Sequence, residues 1–230
     1  IVDDPAEPAQ ITTNRVLLII YNPVMDAESG KKLSQRPGWN DPDELVVGFS
    51  TEIMEDSYGM ARYEIVERIE VDGFPVLKDG FRYSPSLYLD VLNQKTPPHT
   101  PDRVDYNAIL DEFNIAERIE QNKIDEVWVF AFPYGGFYES IMAGKGAFWC
   151  NAPALSNTAN ISRKFIIMGF SYERGIGEML ESFNHRVESH MERTFAKTNG
   201  SANLWERFTR YDKQNPGRAE LGNVHFAPNS

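Results

Sequence analysis

The sequence has few cysteines, no long apolar run and no excess of positive charge. These are the features that form disulfides, span membranes and bind polyanions. It has one cysteine, Cys150, so no disulfide can form within the chain. The aromatic neighbours of Cys150 predict a buried, unreactive thiol. No apolar run approaches the ~18 residues of a membrane span. Lys and Arg number 23 against 34 Asp and Glu, so the net charge is −11. The negative electrostatic field of such a protein disfavours nucleic acid and anionic membranes as partners.

Diagnostic catalytic and nucleotide-binding signatures are also missing. The chain contains no Gly-x-Ser-x-Gly elbow and no His-Glu-x-x-His pair. The pair Gly135-Gly136 belongs to neither a Gly-x-Gly-x-x-Gly fingerprint nor a Walker sequence, so nucleotide binding has little support. No motif therefore names a reaction, and function has to be inferred from where polar residues fall in the predicted fold.

The composition predicts one folded domain after a short extension. A hydrophobic content of 41% with 12% aromatics is typical of a packed core. The first ten residues are acidic and rich in Pro and Ala, which is typical of a linker that follows a cleaved signal or another module. We interpret residues 1–14 as a linker or mature N-terminal extension and residues 15–230 as a single α/β domain. The linker-like composition of the first residues favours a secreted or cell-surface protein over a cytoplasmic one. The domain is also compatible with a place in a longer multidomain chain.

Strands and helices alternate along the sequence. Three continuous apolar runs are typical of strands buried on both faces, namely Val16–Tyr21, Val127–Phe130 and Phe165–Met168. Helices are predicted for 42–57, 105–121, 137–143 and 177–196, the first of them capped by Asp41. This order predicts a three-layer α/β/α sandwich with a mostly parallel sheet. In architecture it resembles flavodoxin-like and amidotransferase-like proteins, which implies no function.

Polar and aromatic residues follow each of the three apolar runs. If the strands are parallel, these residues meet at one edge of the sheet, where α/β proteins bind ligands. There we expect Glu139 and Glu173 to act as general acid and base. The expected substrate-binding residues at this edge are Asn22, Tyr134, Gly135, Gly136, Tyr172 and Arg174. The alternative is that Tyr-Gly-Gly only ends a strand and that Glu173-Arg174 is a solvated pair.

The longest predicted helix carries the densest set of ionisable groups. Glu181, His185 and Glu188 stand four and three residues apart, so they can project to one side and bind a divalent metal. His185 can alternatively assist catalysis. The apolar stripe of this helix, which includes Phe183, lies nearly opposite His185 and favours a solvated acidic face instead. His225, in the tail, is a further candidate for substrate binding or metal ligation if the tail reaches the site.

The leading hypothesis is an exported, hydrolase-like enzyme with a carboxylate-based site at the carboxyl edge of the sheet. Its ligand would be a glycan or another neutral, polar small molecule, in keeping with the acidic surface. The first alternative is a noncatalytic glycan-binding or scaffolding domain of a larger surface protein. The second is a metal-binding protein that uses Glu181, His185 and Glu188. A divalent metal is the only cofactor that the residues suggest.

Overall fold

A computed structural model of the chain describes residues 10–230. Residues 1–9, which hold most of the predicted linker, lie outside the described part. The strands are β1 (Thr12–Tyr21), β2 (Val24–Asp26), β3 (Lys31–Lys32), β4 (Ala61–Val71), β5 (Glu126–Ala131), β6 (Ser140–Ala143) and β7 (Phe165–Ser171). The α-helices are α1 (Pro42–Asp56), α2 (Pro85–Leu92), α3 (Tyr106–Glu112), α4 (Ile115–Glu120), α5 (Ile176–Phe195) and α6 (Leu204–Phe208).

Five of the strands form one sheet in the order β4–β1–β5–β7–β6, and β2 and β3 form a separate small hairpin. The pairs β4–β1, β1–β5 and β5–β7 are parallel, and β6 alone runs antiparallel at one edge. Helices flank this sheet. The predicted three-layer α/β/α sandwich with a mostly parallel sheet is therefore confirmed.

The buried strands follow from continuous apolar sequence. Residues 16–21 of β1 and all six residues of β5 are buried, as expected for strands covered on both faces. In contrast, β4 alternates exposed and half-buried residues along most of its length, which suits an edge strand with one solvated face. The side chain of Asp41 caps α1 by accepting hydrogen bonds from the backbone N–H groups of Asp43 and Glu44.

Aromatic rings join the sheet to the helices on one face. The ring of Phe49 on α1 lies 5.2 Å from that of Trp128 on β5 and 5.4 Å from that of Phe170 on β7. Phe183 on α5 packs against the same Phe49 ring at 5.9 Å. Edge-to-face contacts of this kind stabilise a core beyond the area they bury. They fix α5 next to α1 over the centre of the sheet.

Two predicted helices differ in the structure. Residues 137–143 were expected to be helical, but Ser140–Ala143 pair antiparallel with β7 and form β6. The predicted helix 105–121 is divided into α3 and α4, because Asn114 adopts a left-handed conformation with φ of 50°. Asparagine tolerates this conformation better than most residues, so it breaks the helix at low cost.

No helix in residues 10–230 combines the length and the apolar character that crossing a membrane requires.

Cys150 is fully buried, as predicted, and burial raises the pKa of its thiol.

A charged cluster ties β1 to the start of β5. The guanidinium of Arg15 donates to both carboxylate oxygens of Asp125 at 2.8 and 2.9 Å, and Arg163 lies 3.1 Å from the same carboxylate. The hydrogen bond from Arg15 is the main cause that lowers the pKa of Asp125 to about 2. A carboxylate with a lowered pKa stabilises the fold above its ordinary pKa, and that contribution is lost as the pH falls through its folded value.

We therefore expect Asp125→Asn to destabilise the protein at pH 7 by about 1 kcal/mol, a modest value because solvent screens the cluster. The difference from the wild type should shrink as the pH falls from 4 to 2. Urea unfolding at several pH values in this range measures the difference in free energy of unfolding between the variant and the wild type. Asp111→Asn, at an exposed position of α3, is the control. A difference that stays constant down to pH 2 would show that the ionised carboxylate is not the cause.

Candidate functional site

The carboxyl ends of β1, β5 and β7 lie side by side. Ile20 pairs with Phe130, and Phe130 pairs with Phe170, so the three strands point the same way and end at neighbouring positions. The loops that follow them therefore share one edge of the sheet, as the sequence predicted. This is the edge at which open α/β sheets bind their ligands.

A small cavity of about 180 Å³ lies at this edge, between the Gly135-Gly136 turn and the start of α5. Five of the predicted residues line it, namely Tyr134, Gly135, Gly136, Glu139 and Arg174. Glu139 accepts a hydrogen bond of 2.5 Å from the side-chain amide of Asn151. The turn requires glycine at Gly136, where φ is +83° and an added Cβ would stand 2.3 Å from the carbonyl oxygen of Asp102.

The other predicted residues of this edge stand apart from the cavity lining. Asn22 is buried and donates to Ser34 Oγ and Glu70 Oε1, while its own oxygen accepts from the Ser34 backbone. Tyr172 is fully buried and donates its hydroxyl to the carbonyl of Tyr21 at 3.1 Å. Glu173 is exposed and absent from the lining, so of the two expected acid/base carboxylates only Glu139 faces the cavity.

Helix α5 packs on the core through part of the predicted apolar stripe, including Leu180 and Phe183, and also through residues beside that stripe. Met179 and Ser182 are its buried residues, and Arg186 reaches the buried Glu126 of β5 with two bonds of 2.5 and 2.7 Å. The apolar stripe that includes Val187 is only half-buried. A buried carboxylate on the sheet requires a cation opposite it, and Arg186, which lies beside the predicted stripe, supplies that cation.

His185 is less exposed than the predicted solvated face implies. Its side chain is 16% exposed, since the tail folds back over it. The imidazole of His225 in that tail lies 4.7 Å from the ring of His185, at an interplanar angle of 44°. The face that the sequence predicts to be solvated is therefore exposed at Glu181 and half-buried at His185.

Three candidate metal ligands meet here. Glu181, His185 and His225 each offer one ligand atom, and these atoms all lie within 4.8 Å of one another. Within residues 10–230 this is the one group of three or more such side chains close enough to share an ion. It joins one turn of α5 to the tail, 40 residues later in the chain.

Glu188 supports this cluster without belonging to it. One of its carboxylate oxygens lies 3.2 Å from Nδ1 of His185, and the other accepts the backbone N–H of Val224 at 3.3 Å. With the proton on Nδ1, the Nε2 lone pair of His185 is available to an ion. A carboxylate that holds a ligating histidine in this way is a common support of metal sites. The sequence predicts Glu188 among the candidate ligands, whereas the structure groups His225 with Glu181 and His185.

Sequence reasoning identified each member of this cluster but not the set. The spacing of Glu181 and His185 on one helix is visible in the sequence. For His225 the sequence predicts a role only if the tail reaches the site, because no periodicity tells where an irregular segment packs. A stretch of polar tail with one histidine between apolar neighbours is the only signal that the sequence offers.

Comparisons with family models, with curated proteins and with solved structures found no match to this chain. Its function is therefore inferred from the geometry of its own side chains.

Proposed function

We propose that this protein binds one divalent metal ion of the zinc class through Glu181, His185 and His225, and uses it for hydrolysis. The observation that supports this proposal is the meeting of one carboxylate and two imidazoles with ligand atoms within 4.8 Å of one another. Two histidines and one carboxylate form the ligand set of many catalytic zinc sites and of the non-haem iron(II) oxygenases.

The donor types favour zinc over calcium or magnesium. Calcium and magnesium prefer an all-oxygen shell of six or more ligands, whereas imidazole nitrogen suits zinc and its transition-metal neighbours. Two of the three donors here are imidazoles, and the neighbouring carboxylate of Glu188 already contacts His185 and Val224. The cluster therefore fits a borderline-soft cation better than a hard one.

The number of ligands favours catalysis over a purely structural role. Structural zinc sites are closed by four protein ligands, whereas catalytic sites keep three and leave one position for water. A zinc-bound water ionises near neutral pH and attacks carbonyl or phosphoryl groups. Glu181 and His225 are exposed, so such a water would be open to a substrate from solvent.

The carboxylate-based site at the sheet edge is the second candidate. It is supported by the cavity that Glu139, Tyr134 and Arg174 line together. At about 180 Å³ this cavity is smaller than the roughly 300–1,000 Å³ of common small-molecule sites. In this second candidate function, Glu139 therefore acts as a general acid on a small, neutral, polar substrate.

The metal proposal is tested by zinc stoichiometry. Protein stripped with EDTA, dialysed against micromolar zinc and measured by elemental analysis should contain about one zinc per chain. His225→Ala should contain little or none, because the remaining two ligands bind zinc weakly. His225 is exposed, so this variant is expected to fold normally.

The matched control is His99→Ala, which removes an imidazole that pairs with Asp79 and stacks on Phe81. It should retain one zinc per chain. A wild type without zinc, or a His225→Ala variant that retains it, would overturn the proposal.

A further inference from the structure

An apolar groove adjoins the metal cluster. It lies between α5, α6 and the tail and has a volume of about 800 Å³, which is within the range of small-molecule sites. Val187 and Met191 of α5 form one wall, and Trp205 and Phe208 of α6 form another. Eight of its twelve lining residues are apolar.

The groove exposes large apolar side chains together. Leu204, Phe208 and Leu221 are 57, 48 and 62% exposed, and all three line it. Single exposed apolar residues are common on protein surfaces, but a contiguous group of them marks a binding surface. This surface is concave, and therefore suits a ligand that inserts an apolar group.

Glu188 connects the groove to the metal ligands. It lines the groove, and the same carboxylate lies 3.2 Å from Nδ1 of His185 and accepts the N–H of Val224. Val224 also lines the groove and directly precedes His225. One end of the groove therefore opens beside the cluster, so a group bound in it would place its polar end near the ion.

The charges restrict what the groove can hold. Its lining contains no lysine or arginine, and its one charged residue is Glu188. The chain as a whole carries a net charge of −11. A free carboxylate at the inserted end would be repelled, whereas an uncharged acyl chain would lose no favourable interaction.

We propose that the substrates of this protein are neutral acyl esters whose acyl chain occupies the groove while the ester carbonyl meets the metal-bound water. The inference rests on the proposed function. Hydrolysis adds the water oxygen to the carbonyl carbon, breaks the acyl C–O bond and transfers a proton to the alcohol that leaves. The products are one carboxylic acid and one alcohol, and no oxidant or reductant is needed. The acid ionises on release, and the negative field of the protein then favours its departure.

The test compares zinc-loaded protein on p-nitrophenyl octanoate and p-nitrophenyl acetate. Because the longer chain buries six more methylenes, kcat/KM for the octanoate should exceed that for the acetate by at least about tenfold. Leu221→Asp, which puts a charge in the groove, should abolish this preference by lowering kcat/KM for the octanoate at least about tenfold. Val47→Asp is the matched control, since Val47 is 66% exposed on α1 and outside the groove.

A binding measurement separates failure of the groove from failure of the metal. Zinc-free protein should bind the uncharged fluorescent probe N-phenyl-1-naphthylamine, and Leu221→Asp should weaken this binding at least about tenfold, whereas His225→Ala should not. Probe binding without ester hydrolysis would overturn the catalytic proposal and retain the groove. Zinc binding without probe binding, or acetate cleaved as efficiently as octanoate, would overturn the acyl-chain inference.

Discussion

Replacing Arg186 by methionine is expected to lower the free energy of unfolding by about 3–5 kcal/mol. Glu126, its partner, is 2% exposed and accepts both guanidinium bonds together with a 2.8 Å bond from Nε1 of Trp128. Burial alone would lower the pKa of Arg186, but the charge of Glu126 raises it above its ordinary value, so the arginine stays charged. Without Arg186, a carboxylate is left buried and uncompensated on β5.

Urea unfolding at pH 7 measures this effect. The double variant Glu126→Gln/Arg186→Met removes both charges and keeps an acceptor for Trp128, so it should be markedly more stable than the single Arg186→Met variant. Arg193→Met, at an exposed position of the same helix, is the control and should change stability by less than about 1 kcal/mol. A single variant that costs no more than this control would contradict the role assigned to the pair.

The second large effect concerns zinc affinity. His185→Ala should weaken zinc binding on the order of 10²–10³-fold. Zinc sites with four ligands bind with a free energy of roughly 10–16 kcal/mol in total, or about a quarter of that per ligand, and each ~1.4 kcal/mol is a tenfold change in affinity. Glu188→Gln should weaken it by about 10–100-fold, since this carboxylate orients His185 rather than binding the ion.

Competition titration with a chromophoric zinc chelator provides these affinities. Glu192→Gln is the control, because it removes a negative charge at an exposed position of the same helix. It should leave the affinity nearly unchanged. If all three variants weaken zinc binding equally, the acidic surface attracts zinc nonspecifically and no defined centre exists.

The central sheet could be predicted from the sequence because its three inner strands are unbroken apolar runs. Val16–Tyr21 and Val127–Phe130 have too few polar residues for any element with a solvated face. The start of α1 was equally predictable, because Asp41 followed by proline is a strong signal for a helix N-cap. In contrast, Ser140–Ala143 is a short apolar run of the kind that periodicity alone cannot assign to helix or strand, and its pairing with β7 makes it a strand.

The metal cluster was only half predictable, for a different physical reason. Glu181 and His185 are neighbours on one helix, so their proximity follows from helical geometry. The same helix also contacts the sheet through the pair of Arg186 with Glu126, which joins residues 60 positions apart and is invisible to hydrophobic periodicity. The position of His225 depends on tail packing, which has no local signal. Export and glycan binding stay predictions from composition.

Anomalous diffraction at the zinc edge, from crystals soaked in zinc chloride, tests the metal centre most directly. We predict one strong peak about 2.0–2.2 Å from a carboxylate oxygen of Glu181 and from one ring nitrogen each of His185 and His225. Empty density between these three side chains at saturating zinc, or a peak bound elsewhere on the surface, would contradict it.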